Sequence, residues 1–223
     1  MFRTHGRVQI GGFLARAGAT ALYEELRTSS EWRLTANKGE EIHHFDPAEL
    51  ARWTPEQHAA LNRAVALGGR FGFQFRYEVI RMDKTAAKLL TGFRDFMSSP
   101  EVVALMRAIT GAADIAFADA HASRYHPGHF LTAHDDGAEQ MNRRAAYVMN
   151  LTPQWRPDWG GLLQFYDAHG NVTRAFTPAF NVLNLFAVPQ HHSVTWVTPL
   201  AAAPRYAVTG WLRASPDSKL SGM

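Results

Sequence analysis

The chain has 223 residues, 46% hydrophobic and 12% aromatic, with a formal net charge of +3. That length and apolar content suit one domain with a sizeable core and exclude extended disorder. The absence of cysteine rules out disulfides, thiolate metal sites and a cysteine nucleophile. A slight basic excess without a dense Lys/Arg run offers no platform for nucleic acid. Arg7 and Arg16 interrupt the N-terminal apolar stretch, and no apolar run approaches the roughly 20 residues of a membrane span. A cytoplasmic protein without a membrane partner is expected, with its oligomeric state left open.

The first half reads mainly as helices. Thr54-Pro55-Glu56-Gln57 combines a threonine cap, a proline at the first helical position and a glutamine reaching back. This predicts a helix to about Leu67 that stops at Gly68-Gly69. Phe71, Phe73, Phe75, Tyr77 and Val79 then alternate with Gly72, Gln74, Arg76 and Glu78, the period of a half-buried strand. A further helix is expected over about 84–97, with Leu89, Leu90, Phe93 and Met97 facing inward. Ser99-Pro100 opens another, with Val102, Leu105, Met106 and Ile109 at helical spacing and Gly111 as its stop.

After about residue 114 short apolar stretches (115–117, 145–151, 162–166, 180–186, 192–197 and 206–212) alternate with turn-forming clusters. These include His126-Pro127-Gly128, Trp159-Gly160-Gly161, His169-Gly170-Asn171 and Val188-Pro189. Many short strands at even spacing indicate a sandwich or barrel, of which the eight-stranded jelly roll is one solution. The expected fold is mostly β with α: a double-stranded β-helix core over about 114–214, supported by helices over about 1–113, as one unit.

His134-Asp135-Asp136 carries the chemistry. On an extended strand His134 and Asp136, at i and i+2, leave one face, and a histidine from a distant strand would complete two imidazoles and one carboxylate. Such a set leaves open positions and suits non-haem Fe(II). Alternation in His192-Ser193-Val194 favours His192 over His191 as the third donor. Asp135 points to the opposite face, and the His126-Pro127-Gly128-His129 turn serves loop geometry or the site entrance. The similar His44-Phe45-Asp46 needs no metal, because Asp46 before Pro47 reads as a helix cap. Zinc accepts the same donors, but no HExxH motif supplies a base; Glu139 is near without that spacing. Arg205, thirteen residues after His192, shares a strand face with Ala207, Thr209 and Trp211. Its planar fork calls for a carboxylate, whether structural or a bound co-substrate.

The ordered set Tyr125, His134-x-Asp136, Tyr147, Asn150, Gly160-Gly161, His192, Arg205 and Gly210-Trp211 resembles the Fe(II)/2-oxoglutarate-dependent dioxygenases. The branch it looks like is the prolyl 4-hydroxylase group, with the hypoxia-factor prolyl hydroxylases and related bacterial and ribosomal-protein hydroxylases. The resemblance covers residues 120 to 214. It implies His134, Asp136 and His192 as iron ligands, and Arg205, helped by Thr209, as the holder of the 2-oxoglutarate C5 carboxylate. Tyr125 and Tyr147 would line the co-substrate pocket, although both also read as ordinary core aromatics, and Trp211 would wall it. The Gly160-Gly161 turn is structural.

The reaction so implied is hydroxylation of an unactivated C–H, with 2-oxoglutarate and O₂ as co-substrates, succinate and CO₂ as products, and ascorbate in a supporting role. A carboxylate at Asp136 disfavours a halogenase, which leaves that position to the halide. The branch implies a prolyl or other residue of a peptide or protein as substrate, within a groove shaped by the loops after Tyr166 and around 137–144. A free amino acid or small natural product is the alternative, and a noncatalytic β-sandwich binding module a further one. Asn142-Arg143-Arg144 reads as a solvated strand start or a contact for an acidic partner.

Overall fold

The computed structural model of the protein describes residues 2–81, 88–137 and 141–214. In chain order, α1 (Phe2–His5) and β1 (Arg7–Gly11) lead into α2 (Arg16–Thr28), β2 (Arg33–Lys38), β3 (Glu41–Phe45) and the short α3 (Pro47–Leu50). There follow α4 (Pro55–Phe71), β4 (Phe75–Arg81), α5 (Lys88–Met97) and α6 (Pro100–Thr110). The β-rich half holds β5 (Phe117–Ala118), β6 (His121–Tyr125), β7 (Phe130–His134), β8 (Arg143–Asn150) and β9 (Leu163–Tyr166). It closes with β10 (Val172–Phe176), β11 (Val182–Ala187), β12 (His192–Val194) and β13 (Arg205–Arg213).

The main strand order is β1-β11-β8-β13-β6-β4-β7-β12-β9-β10, with the β2–β3 hairpin on β4 and β5 on β13. Every one of these pairings is antiparallel. The sheet curls, and alternation along β8 and β13 sorts side chains between its two faces. Tyr147, Met149, Val208 and Leu212 pack outward against Leu22, Leu26, Leu90, Phe93, Met97 and Met106 of the helices. Ala146, Val148 and Ala207 face inward, where Leu163, Phe165, Phe176 and Phe186 meet them. This is the helix-supported, mostly β architecture that the sequence predicts. Among the described residues no helix is long and apolar enough to cross a membrane.

The helix starts form as read. Thr54 Oγ1 accepts from Gln57 N–H while the Gln57 side chain accepts from Thr54 N–H, and Ser99 caps α6, which ends at Gly111 with φ 78°. Asp46 accepts from Ala48 N–H as a helix cap, so the second His-x-Asp sequence is structural. Gly160 and Gly161 both have positive φ, and a Cβ on Gly160 would sit 1.9 Å from the Trp196 carbonyl oxygen. The chain doubles back there because no side chain intervenes.

Four expectations need correction. α4 continues through Gly68-Gly69 to Phe71, and β4 starts only at Phe75, leaving Phe71 83% and Phe73 47% exposed. The Gln74 carboxamide fills the space a Cβ on Gly68 would take; it donates to Asn37 at 2.7 and 2.8 Å, which offsets the cost of about 1 kcal/mol for a helical glycine. In α5, Leu90, Phe93 and Met97 are buried but Leu89 is exposed, and in α6 Leu105 is exposed while Val103 turns inward. Residues 84–87 of the expected helix lie outside the described residues. Finally, the N-terminal half is no purely helical support: β1 pairs with β11 and β2 with β4.

Glu78 of β4 lies opposite Arg124 of β6 in register and bonds both the Arg124 guanidinium and His126 Nε2. Burial pushes this carboxyl up, but the hydrogen bonds and charges of His126 and Arg124 overcome it and hold it at about 2. A folded-state value below the unfolded one stabilises the fold above about pH 4.5 and is lost as pH falls toward 2. Glu78→Gln is therefore expected to cost about 1–2 kcal/mol at pH 7 and to flatten the fall of Tm between pH 5 and 2. Thermal melts across that range check it; an equally steep acid limb in the variant would refute the network's role.

Candidate metal centre

β7 and β12 are antiparallel neighbours, and their register sets His192 directly opposite His134. The two rings lie 4.2 Å apart between centroids. Asp136 joins them differently from the sequence expectation. His134 is the last residue of β7, and Asp136 lies beyond the strand with φ 60°, a left-handed conformation that aspartate tolerates better than most residues. The turn, rather than strand alternation, brings the carboxylate inward. His134 Nε2 is 3.5 Å from Asp136 Oδ1 and His192 Nε2 is 3.5 Å from Oδ2. One donor atom of each residue falls within 4.8 Å of the others, spacing that leaves room for one first-row metal ion.

Backbone carbonyls fix which nitrogen faces the centre. His134 Nδ1 lies 3.0 Å from the Thr132 carbonyl oxygen and His192 Nδ1 2.7 Å from that of Gln190. With Nδ1–H donating outward, each Nε2 lone pair is turned to the shared point. Burial, with the charge of His134, lowers His192 to about 4, so it stays in the neutral form that binds metal. For Asp136 burial acts upward, but the His134 hydrogen bond and both histidine charges bring it to about 2. His191 is exposed while His192 is 4% exposed. Asp135 turns away and accepts from Gly137 N–H at 2.9 Å.

The centre opens into a cavity of about 310 Å³ that also touches Tyr125, Tyr147, Arg205, Thr209 and Trp211. Arg205 is 2% exposed, and its Nε has no hydrogen-bond partner. Among the described residues no carboxylate pairs with it; its guanidinium lies 5.2 Å from the Tyr125 ring. A structural ion pair is thus not its role, and a buried cation without an anion is costly. Thr209 Oγ1 is 2.9 Å from His121 Nε2. Tyr147 touches the cavity, while its ring packs on the helix side against Phe93 and its hydroxyl donates to the Asp119 carbonyl at 2.7 Å.

Several cavity residues escaped the sequence reading. Tyr77 stacks on Tyr125 with centroids 4.9 Å apart, and burial pushes its hydroxyl up to about 12. Arg143 does not extend into solvent: its guanidinium covers Trp211 at 3.7 Å and donates to the Asp136 carbonyl at 3.1 Å. Arg144 pairs with Asp114 at 2.8 Å, so the basic triplet is no free patch. His121 and Ser123 share the inward face of β6 with Tyr125, a period-2 pattern readable once Tyr125 is placed. His129 Nδ1 accepts from His126 N–H at 3.2 Å, so that turn serves loop geometry. Glu139 lies outside the described residues.

Residues 120–213 match the family model of the 2OG-Fe(II) oxygenase superfamily. The match spans less than half of the chain. The prolyl 3-hydroxylase OGFOD1 of Mus musculus is 30% identical over 100 residues, 42% of this chain and 18% of that protein. The chain thus spans about a fifth of the length of that relative. A Pseudomonas putida prolyl-4-hydroxylase structure aligns with TM-score 0.64 and 19% identity over 96% of both chains. A Trichoplax adhaerens prolyl hydroxylase in complex with a hypoxia-inducible-factor peptide fragment aligns with TM-score 0.64 and 18% identity, over 100% of this chain and 90% of that one. These structural likenesses show the jelly-roll fold. The matched segment carries a donor set suited to Fe(II) and, in Arg205, a buried cation without a carboxylate partner among the described residues, suited to the dicarboxylate 2-oxoglutarate.

A divalent ion held here should raise the melting temperature by about 5–10 °C when present at about 100 times its Kd. Calorimetric melts with Mn(II) are expected to lose that shift in His192→Ala and keep it in His191→Ala. An undiminished shift in His192→Ala would remove the residue from the site.

Proposed function

We propose that the protein is an Fe(II)- and 2-oxoglutarate-dependent dioxygenase that hydroxylates a prolyl or other residue of a peptide or protein. The observation that carries this reading is the coexistence, in one cavity, of the His134–Asp136–His192 cluster and the unpaired Arg205 guanidinium. A metal site alone would fit many chemistries; a metal site facing a buried, uncompensated cation fits a chelating co-substrate with a second carboxylate.

His134, Asp136 and His192 would hold the iron on one side, with the two backbone carbonyls fixing the imidazole orientations. Arg205 would pair with the far carboxylate of 2-oxoglutarate through two parallel N–H donors, over the face of Tyr125. Bound iron and 2-oxoglutarate supply the oxidation, with O₂ consumed and succinate and CO₂ released. The apolar lining from Leu163, Phe186 and Val194 keeps water from the co-substrate, which strengthens the charge pairing. Arg143, stacked on Trp211, closes the wall behind Asp136.

The peptide substrate is supported by the relatives named as prolyl hydroxylases, one of them in complex with a peptide fragment. The cavity lining includes Ile42, Phe73, Phe75 and Tyr77, of which Ile42 and Phe73 are exposed, an apolar surface on which a pyrrolidine packs without losing hydrogen bonds. Purified protein with Fe(II), ascorbate and 2-oxoglutarate is expected to form succinate faster with proline-containing peptides than with free amino acids. No Fe(II)-dependent succinate at all would overturn the enzyme reading, and stimulation by free amino acids alone would replace the peptide with a small molecule. Arg205→Ala is expected to raise the KM for 2-oxoglutarate on the order of 10-fold or more, and an unaltered KM would reject its role.

A further inference from the structure

His121 has no part in the reading above, yet it is built into the same cavity. It opens β6, and register sets it opposite Thr209 of β13, as Tyr125 is set opposite Arg205. The cavity is therefore crossed by two matched pairs on neighbouring strands. One, Arg205 with Tyr125, brings an unpaired cation; the other, Thr209 with His121, brings a hydroxyl whose oxygen is 2.9 Å from an imidazole nitrogen. The His121 ring is kept in place by Trp211, 6.1 Å away between centroids.

The direction of that hydrogen bond decides how many donors the cavity offers. Burial lowers His121 from its usual range, against the charges of Asp119 and Asp136, so the ring carries a single N–H. If the threonine donates to Nε2, its one hydrogen is consumed and the cavity gains nothing. If Nε2–H donates to Oγ1, the hydroxyl hydrogen remains free to point into the cavity. Beside an uncompensated guanidinium, an anion selects the second arrangement, because it adds a donor where negative charge is bound.

We propose that His121 is a positioning residue for the co-substrate: its Nε2–H donates to Thr209 Oγ1 and turns the threonine hydroxyl toward the carboxylate that Arg205 holds. This inference rests on the assignment of 2-oxoglutarate to Arg205. It makes His121 and Thr209 one functional unit, whose effects on binding are not independent.

The test is calorimetric titration of 2-oxoglutarate into the Mn(II)-loaded protein. His121→Phe and Thr209→Val are each expected to weaken binding about 10-fold, a lost hydrogen bond to a charged group, and the double variant no more than either. His121→Gln, which keeps an N–H donor at similar reach, is expected to recover most of the affinity, with the Mn(II) affinity unchanged throughout. Additive losses, or wild-type affinity in His121→Phe, would overturn the proposal. Because a buried substitution can impair folding, a second measurement uses wild-type protein: nitrogen-15 spectra of the form loaded with Zn(II) and 2-oxoglutarate, with the His121 signal assigned by its loss in His121→Gln. A protonated Nε2 is expected, and a protonated Nδ1 would overturn the proposal. Arg205→Ala separates the two readings. If it too leaves 2-oxoglutarate affinity unchanged, the co-substrate assignment itself fails; if it abolishes binding while His121→Phe does not, only the role of His121 fails.

Discussion

The centre depends on one strand pairing. β12 has three residues, and its register on β7 is what sets His192 opposite His134. A slip of one residue would turn His192 to the other face and bring the exposed His191 inward. So short a strand does not hold register alone. On its other edge it pairs with β9, His192 opposite Phe165, and the chain beyond it is tied to the Gly160-Gly161 turn, where Gly161 N–H donates to the Thr195 and Trp196 carbonyls. A structural turn with no chemistry of its own thus keeps the histidine in place.

The second constraint is electrostatic. Arg205 is almost without solvent and, among the described residues, has no carboxylate partner, an arrangement that is costly for a cation. Its neighbours show how the cost is limited: the Tyr125 ring face offers the cation a weak partner, and Tyr125 is braced in turn by Tyr77. A side chain so expensive to bury is hard to explain by packing, since an aliphatic residue would fill the volume at lower cost. Strain of this kind is expected at binding sites, where a ligand supplies the missing charge.

Much of this was legible in the residues, for identifiable reasons. The capped helix starts at Thr54 and Ser99 carry their own local signal, and β8, β11 and β13 are apolar enough to stand out. β2 and β3 were missed because sequences such as Arg-Leu-Thr-Ala-Asn-Lys carry little apolar contrast and owe their strand form to pairing with β4. Phe71 and Phe73 continued an alternation that the backbone does not follow, since α4 tolerates two glycines where they serve the packing of Gln74. At the centre, the three donors were readable from identity and order, but the reason they converge was not. Asp136 arrives through a left-handed turn, which no periodicity announces. Tyr147 was placed by motif order, whereas the parity of β8 puts its ring among the helices.

That parity has a consequence for how the two halves are coupled. On β13 the outward residues Tyr206, Val208 and Leu212 belong to the helix-packed core, while the alternate residues Arg205, Thr209 and Trp211 line the cavity. Gly210 sits between these sets, and a Cβ there would come 2.0 Å from the Asp119 carbonyl oxygen. Asp119 in turn accepts from Trp211 N–H and Arg213 Nε, both at 2.6 Å, and its carbonyl takes the Tyr147 hydroxyl. One acidic residue next to β6 thereby fixes the end of β13, the helix-side tyrosine of β8 and the start of the β6 face that carries His121. The helices therefore do more than cover apolar surface: they pack on Tyr147, whose hydroxyl is bonded to the residue that also holds the end of β13.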